Sequence, residues 1–312
     1  MYQTSVSYML RMTPHVQDAS TLVPLPNTEF QLVGQATGTF LAWPKRLVMS
    51  LSTRAKVMRE PHVDHANIAE AEDDPISTLL SILPRLRKRP IQLQWDIRVF
   101  GVDSSDVPLY ISLPDALEIV GGNSMLNISI IQLWAMYMDK LSVEQAQAQV
   151  YGFIEPQSIQ KSGNTQVQIQ QYMQTWMSDS RRHIYMAPYI DGSHWQLMVI
   201  IPKEYTVVWF CSLHRKPSQE IKSQLHGIVS GANILSGRAR SSKSLHFIYP
   251  KCNKQQDSFE CGYYIMYWMR AIVSAGITDS WAQVFQDSSP LPEDEIIKIR
   301  EQWATFFLQS IQ

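Results

Sequence analysis

The chain has 312 residues, with 27 Lys plus Arg against 28 Asp plus Glu; a net charge of -1 gives no global field to draw it to nucleic acid or an anionic membrane. Hydrophobic residues make up 45% of the chain and include 9 Trp and 13 Tyr, which excludes wholesale disorder. Three cysteines, at 211, 252 and 261, are too few for a disulfide framework and lack the paired spacing of a zinc site, so no metal is expected and the setting is intracellular, nucleus or cytoplasm.

The N-terminus has no basic region followed by a continuous apolar stretch, and no window approaches the roughly eighteen apolar residues of a membrane span. Residues 28–50, rich in β-branched and aromatic residues and broken by Gly34 and Gly38, predict two short strands around a turn. Residues 60–75 collect Glu60, Asp64, Glu70, Glu72, Asp73 and Asp74 with few apolar residues, as a solvated linker does. His62 and His65 have helical metal spacing there but no third ligand. The basic run Arg85 to Arg89, fenced by Pro84 and Pro90, reads as a nuclear-import or anion-binding patch or as plain solvated charge. The expected organisation is therefore a fragment over 1–59, a linker over 60–90 that is acidic and then basic, and a main domain over 91–312.

Within that domain, helix-like and strand-like segments alternate. Leu126 to Met138 has near-helical apolar spacing behind Asn127, a good N-cap type, and 165–178 reads as a second helix. His183 to Ile190, Trp195 to Ile201 and Thr206 to Phe210 are short β-rich runs separated by turn residues, which predicts adjacent strands of a central sheet. Pro217 to Ile228 reads as an amphipathic helix, 230–244 as a polar loop and Leu245 to Tyr249 as a further strand. Cys261 to Val273 is a buried helix and Glu293 to Leu308 an amphipathic closing one, giving an α+β or α/β class without repeats.

Three features point to chemistry: His194-Trp195 opening a strand, Gln255 in a polar loop, and Cys261 directly before an apolar helix. Unpaired amides and the positive end of the dipole at a helix N-terminus favour thiolate over thiol, and a neighbouring imidazolium completes an ion pair. Gln255, six residues before the cysteine, is near enough in sequence to donate to an oxyanion. Cys252 reads as a structural thiol, and His214-Arg215-Lys216 as a surface turn before a helix.

Taken with Ser212-Leu213 and Glu260-Cys261-Gly262, these residues resemble the ubiquitin-like-protein (SUMO) proteases, cysteine peptidases related to the adenovirus protease, over about residues 90–312. The resemblance implies a papain-like, adenain-like α+β fold: a central mixed sheet flanked by helices, with the nucleophile at the N-terminus of a buried helix. It implies Cys261 as nucleophile, His194 as general base, Gln255 at the oxyanion hole, and Trp195, Met125 and Gly262 at the substrate. No cofactor is implied; the partner is a SUMO-like modifier or its conjugates, cut after the terminal Gly-Gly by a monomer that meets neither membrane nor nucleic acid. Phe210 to Pro217 and Val33 to Pro44 further resemble plant transposon-encoded members, which makes 1–59 the tail of their upstream domain.

Two positions depart from the family pattern. The third catalytic residue, an Asp seventeen positions after the His, is Cys211 here, and one of two Trp walls is Met125. A thiol is a weak hydrogen-bond partner for an imidazole, and Met fixes geometry less well than an indole, so a reduced rate is expected. The alternatives are a catalytically inactive binding protein of transposon origin that keeps the fold, and a protease for an unrelated substrate.

Overall fold

Residue 75 onward departs from the linker expectation. The computed structural model describes residues 7–11, 40–44, 74–122, 124–238 and 244–311. Pro75–Lys88 forms helix α1, capped by Asp74, whose carboxylate accepts the amides of Ile76 and Ser77. Leu79 and Leu86, two turns apart on one face, are fully buried, while Arg85, Arg87 and Lys88 stand exposed in the last turn. That position suits cations, because the helix carbonyls end there. The basic run is thus the polar end of a packed helix, and the two leucines spaced among the charges were the signal for it. The acidic residues 60–73, with His62 and His65, lie outside the described residues, as do 28–39.

The chain divides into two compact units, Met1–Glu70 and Ala71–Gln312. In the first, β1 (Ser7–Arg11) pairs antiparallel with β2 (Phe40–Pro44), so the strand expected near 40 finds its partner at 7–11.

In the second unit, β3 (Ile91–Leu93) and β4 (Leu109–Ile111) form a small antiparallel ladder around α2 (Ile97–Phe100). Next come α3 (Leu113–Gly121), α4 (Ile128–Glu144), β5 (Tyr151–Phe153) and α5 (Gln166–Ser180). The central strands are β6 (Ile184–Asp191), β7 (His194–Ile201) and β8 (Thr206–Phe210), followed by α6 (Gln219–Leu235) and β9 (His246–Ile248). Helices α7 (Cys261–Ser274), α8 (Trp281–Val284) and α9 (Glu293–Ser310) close the chain. The five-stranded sheet runs β5-β6-β7-β8-β9, antiparallel in the middle and parallel at both outer pairs. This is the mixed sheet flanked by helices that the sequence implies.

Both faces of the sheet are covered, which is why β7 reads as an unbroken apolar run and not as an alternation. Trp195, Leu197, Val199 and Ile201 join the core under α4, α7 and α9, while Met198 and Ile200 join a second core under α5 and α6. Each such fully buried side chain contributes about 1.5–3 kcal/mol of transfer free energy. Helix α7 sits at the centre of the first core, and its Met266 carbonyl accepts the Trp134 indole N–H at 3.1 Å. Helix α6 runs through the stretch expected to be a loop, to Leu235. Val229, Ala232 and Asn233 are buried there, and Gly231 lets Gln174 of α5 lie against the helix backbone.

Candidate active site

Helix α7 begins at Cys261 because the chain before it is pinned by side chains. The Asp257 carboxylate accepts the amides of Phe259 and Glu260, each at 2.9 Å, and Gln255 is held at both ends of its amide. Its Oε1 accepts the Ser212 hydroxyl, its Nε2 donates to the Asp257 carbonyl at 2.8 Å, and its backbone amide donates to the Ser212 carbonyl at 3.1 Å. One N–H of the Gln255 side chain stays uncommitted among the described residues.

Cys261 is fully buried, and its Sγ accepts the backbone amide of Trp195 at 3.4 Å. The Trp195 indole N–H reaches the Leu126 carbonyl at 2.8 Å, which ties the start of β7 to the segment that carries Met125. A Cβ on Gly262 would lie 2.9 Å from the Leu126 side chain, so only glycine lets α7 approach this closely. Met125 is half-buried against the same core. Asn127 begins α4 as the spacing predicts, yet its side chain does not cap the helix; it donates to Asp115, 3.1 Å away. Its backbone amide goes to Glu118, and both carboxylates sit on α3 and hold the 125–129 segment in place.

The seventeen-residue step from His194 to Cys211 follows from strand register. Leu197 pairs with Phe210 and Met198 with Trp209, so one more step sets Cys211 across from Gln196, diagonal to His194. The Cys211 Sγ lies 3.3 Å from His194 Nε2 and also accepts the Arg215 amide at 3.4 Å. Cys211 engages Nε2, which leaves Nδ1 as the ring nitrogen for a second partner.

Burial and nearby charge disfavour the charged forms of Cys261 and His194. Burial pushes the Cys261 thiol up, opposed by hydrogen bonds from the Trp195 and Gly262 amides, and nearby Asp257 adds to the rise. Burial, together with the Arg215 cation, pushes His194 down to about 4. Glu260, next to Cys261, is itself raised to about 7 by burial and by Asp257. These effects run against the thiolate-favouring influence of the helix N-terminus.

The sequence-predicted residues Cys261, Trp195, Gln255, His194 and Cys211 therefore come together through contacts named above, and Gly262 and Met125 flank Leu126. Cys252 stays a structural thiol, raised to about 12 by burial. Among the described residues no cluster of three His, Cys, Asp or Glu could hold a metal, and no helix is long and apolar enough to cross a membrane. Sequence reasoning missed the anchoring roles of Asp257 and Glu118 and the field of Arg215. Asp257 had a signal, an Asx turn ahead of a helix; Glu118 and Arg215 had none.

The profile of the Ulp1 protease family, C-terminal catalytic domain, matches residues 128–309. Among solved structures, the SUMO protease Ulp1 with its catalytic cysteine oxidised to a sulfenic acid superposes with a TM-score of 0.53 at 16% identity, covering 80% of this chain and 100% of that one. The C-terminal Ulp1 protease domain in complex with Smt3, the yeast ortholog of SUMO, gives 0.52 at 15%, covering 79% and 99%. A de-sumoylating protease gives 0.50 at 12%, covering 70% and 92%. At such identities the likeness is one of fold. No curated protein sequence matches the chain.

Proposed function

The chain belongs to the Ulp1 protease family, and from that premise we propose that it is a cysteine peptidase cutting after the C-terminal Gly-Gly of a SUMO-like modifier, with Cys261 as nucleophile. His194 takes the thiol proton as the sulfur attacks the glycine carbonyl. The oxyanion is met by the free N–H of Gln255 and the amide of Cys261. The same imidazole then protonates the departing amine, and water hydrolyses the thioester. Trp195 and Met125 wall the passage for the glycine tail. The observation that carries this reading is the 3.4 Å contact from the Trp195 amide to Cys261 Sγ, which sets the nucleophile against the residue next to His194. An intracellular monomer, in nucleus or cytoplasm, belongs to the same reading; the three buried free thiols support the compartment.

The test is covalent labelling by a panel of ubiquitin-like modifiers carrying a C-terminal thiol-reactive electrophile. Labelling by a SUMO-like member, lost in Cys261→Ser, is the expected result. A folded protein that no modifier labels would overturn the peptidase reading.

The structure also gives weight to a second reading, a protein of the same fold that binds the modifier without cutting it. Cys211 at 3.3 Å from His194 supplies no negative charge, and Arg215 opposes the imidazolium. Cys211→Asp separates the two: a large gain from near zero marks an impaired enzyme.

A further inference from the structure

Past the end of β8 the chain turns back tightly at Cys211. His214, in the left-handed region at φ 55, donates its amide to the Cys211 carbonyl at 2.8 Å, and the Trp209 indole donates to the Arg215 carbonyl at 3.1 Å. With the segment following β9, this turn encloses a cleft of about 140 Å³ lined by Trp209, Cys211, Arg215, Lys216, Tyr249 and Lys251. Three of those residues are cations, none is an acid, and among the described residues none of the three cations is in an ion pair. Lys216 is steadied with its Nζ 5.1 Å over the Tyr249 ring, which itself stacks on Phe247. All three are exposed, so solvent screens much of their mutual repulsion, and a bound anion relieves what remains.

Cys211 lines the cleft, and its Sγ lies 3.3 Å from His194 Nε2. Cys211 lies against His194, and Arg215 from the same turn after β8 sets a cationic field on it, while Cys261 accepts the amide of Trp195, the residue next to His194. The first of these stands where the family keeps its carboxylate.

We propose that this cleft is a carboxylate-binding site: a carboxylate, free or borne on an acidic peptide segment, sits on Arg215, Lys216 and Lys251 against Cys211 and supplies from outside the negative charge the chain lacks beside His194. The space holds a carboxylate head and a short stem; it falls short of the roughly 300 Å³ at which pockets begin to hold whole nucleotide-sized ligands. Binding stands on the cleft alone. Its effect on catalysis rests on the reading of His194 as the base: a bound anion offsets the Arg215 field and raises the affinity of the imidazole for a proton.

The test uses the full chain. Calorimetric titration with citrate, with a Glu-rich octapeptide, and with inorganic phosphate is run against sodium chloride at matched ionic strength. The expected result is saturable binding of citrate or peptide that Lys216→Gln/Lys251→Gln weakens by about tenfold or more. Uptake of citrate alone assigns a free carboxylate, and uptake of the peptide assigns a protein segment. Phosphate binding as tight as either overturns the carboxylate assignment, and binding that the double variant leaves intact overturns the site. In parallel, the His194 ring resonance, assigned by its loss in His194→Asn, is titrated with and without citrate. Its midpoint moves up by about one unit on binding, and Arg215→Gln produces a similar rise without ligand. An unmoved midpoint in the liganded protein overturns the coupling to His194. Neither readout needs the protein to cut or label any modifier, so a failed peptidase reading leaves this test intact.

Discussion

On the α7 side of the candidate active site the polar groups are tied together: Asp257 holds the amides before Cys261, Ser212 and Asp257 hold Gln255, and Trp195 bridges Cys261 to Leu126. On the β8 side a sulfur stands beside His194, and the nearest charge is a cation of the wrong sign for an imidazolium. The first side is about position and the second about charge, and the two are separable. Packing and hydrogen bonds place Cys261 and Gln255 even where the charges around them do not favour a thiolate.

The comparison is broken most severely by Cys261→Ser, which should reduce modifier labelling to background while far-ultraviolet circular dichroism stays unchanged. Cys211→Asp repairs only the second side. The carboxylate would inherit the Arg215 amide and face His194, raising the labelling rate by at least about tenfold. The pH midpoint for alkylation of Cys261 by iodoacetamide should fall at the same time, because a stabilised imidazolium favours the thiolate. In a serine protease the corresponding carboxylate accounts for about 10⁴ in rate, which sets the upper end of the expected gain. An unchanged rate and midpoint would mean that the charge deficit beside His194 is without consequence.

Gly262→Ala attacks the first side by geometry alone. Its new Cβ would lie 2.9 Å from Leu126, an overpacking that costs about 1–3 kcal/mol in thermal or denaturant unfolding and displaces the Trp195 latch. Ser212→Ala leaves the buried Gln255 Oε1 without its donor; labelling should slow by about tenfold, and unfolding should lose about 1–3 kcal/mol.

The smallest expected effect concerns Glu118, raised to about 7 by burial, against which the Asn127 amide works. An acid whose folded value is raised binds more protons folded than unfolded between its ordinary value and about 7, so its contribution to stability falls as pH rises through that window. Glu118→Gln should therefore gain about 1–2 kcal/mol on the native chain between pH 5 and pH 8, after allowance for solvent screening of this half-buried group. Equal pH dependence in both proteins would show that Glu118 ionises freely.

Much of the fold was legible before any coordinates. The runs at 126–138, 165–178 and 261–273 read as helices and are helices; the runs at 183–190, 195–201 and 206–210 are the central strands. Such patterns are local, so periodicity over ten residues suffices to read them. Helix α1 escaped because only Leu79 and Leu86 among its residues are fully buried, too sparse a stripe beside so many charges.

For the site, sequence by itself supplied the residue types and their spacing: a cysteine at a helix start, a glutamine six before it, a histidine opening a strand, and a missing acid seventeen positions later. Only the tertiary structure decided which fields and how much burial act on these groups. The register of β7 on β8 brings the Cys211 sulfur to His194, the turn beyond it swings Arg215 close, and burial raises the thiol while it lowers the imidazole. Desolvation and fields across a few ångströms depend on which distant segments are packed together, and no spacing along the chain records that.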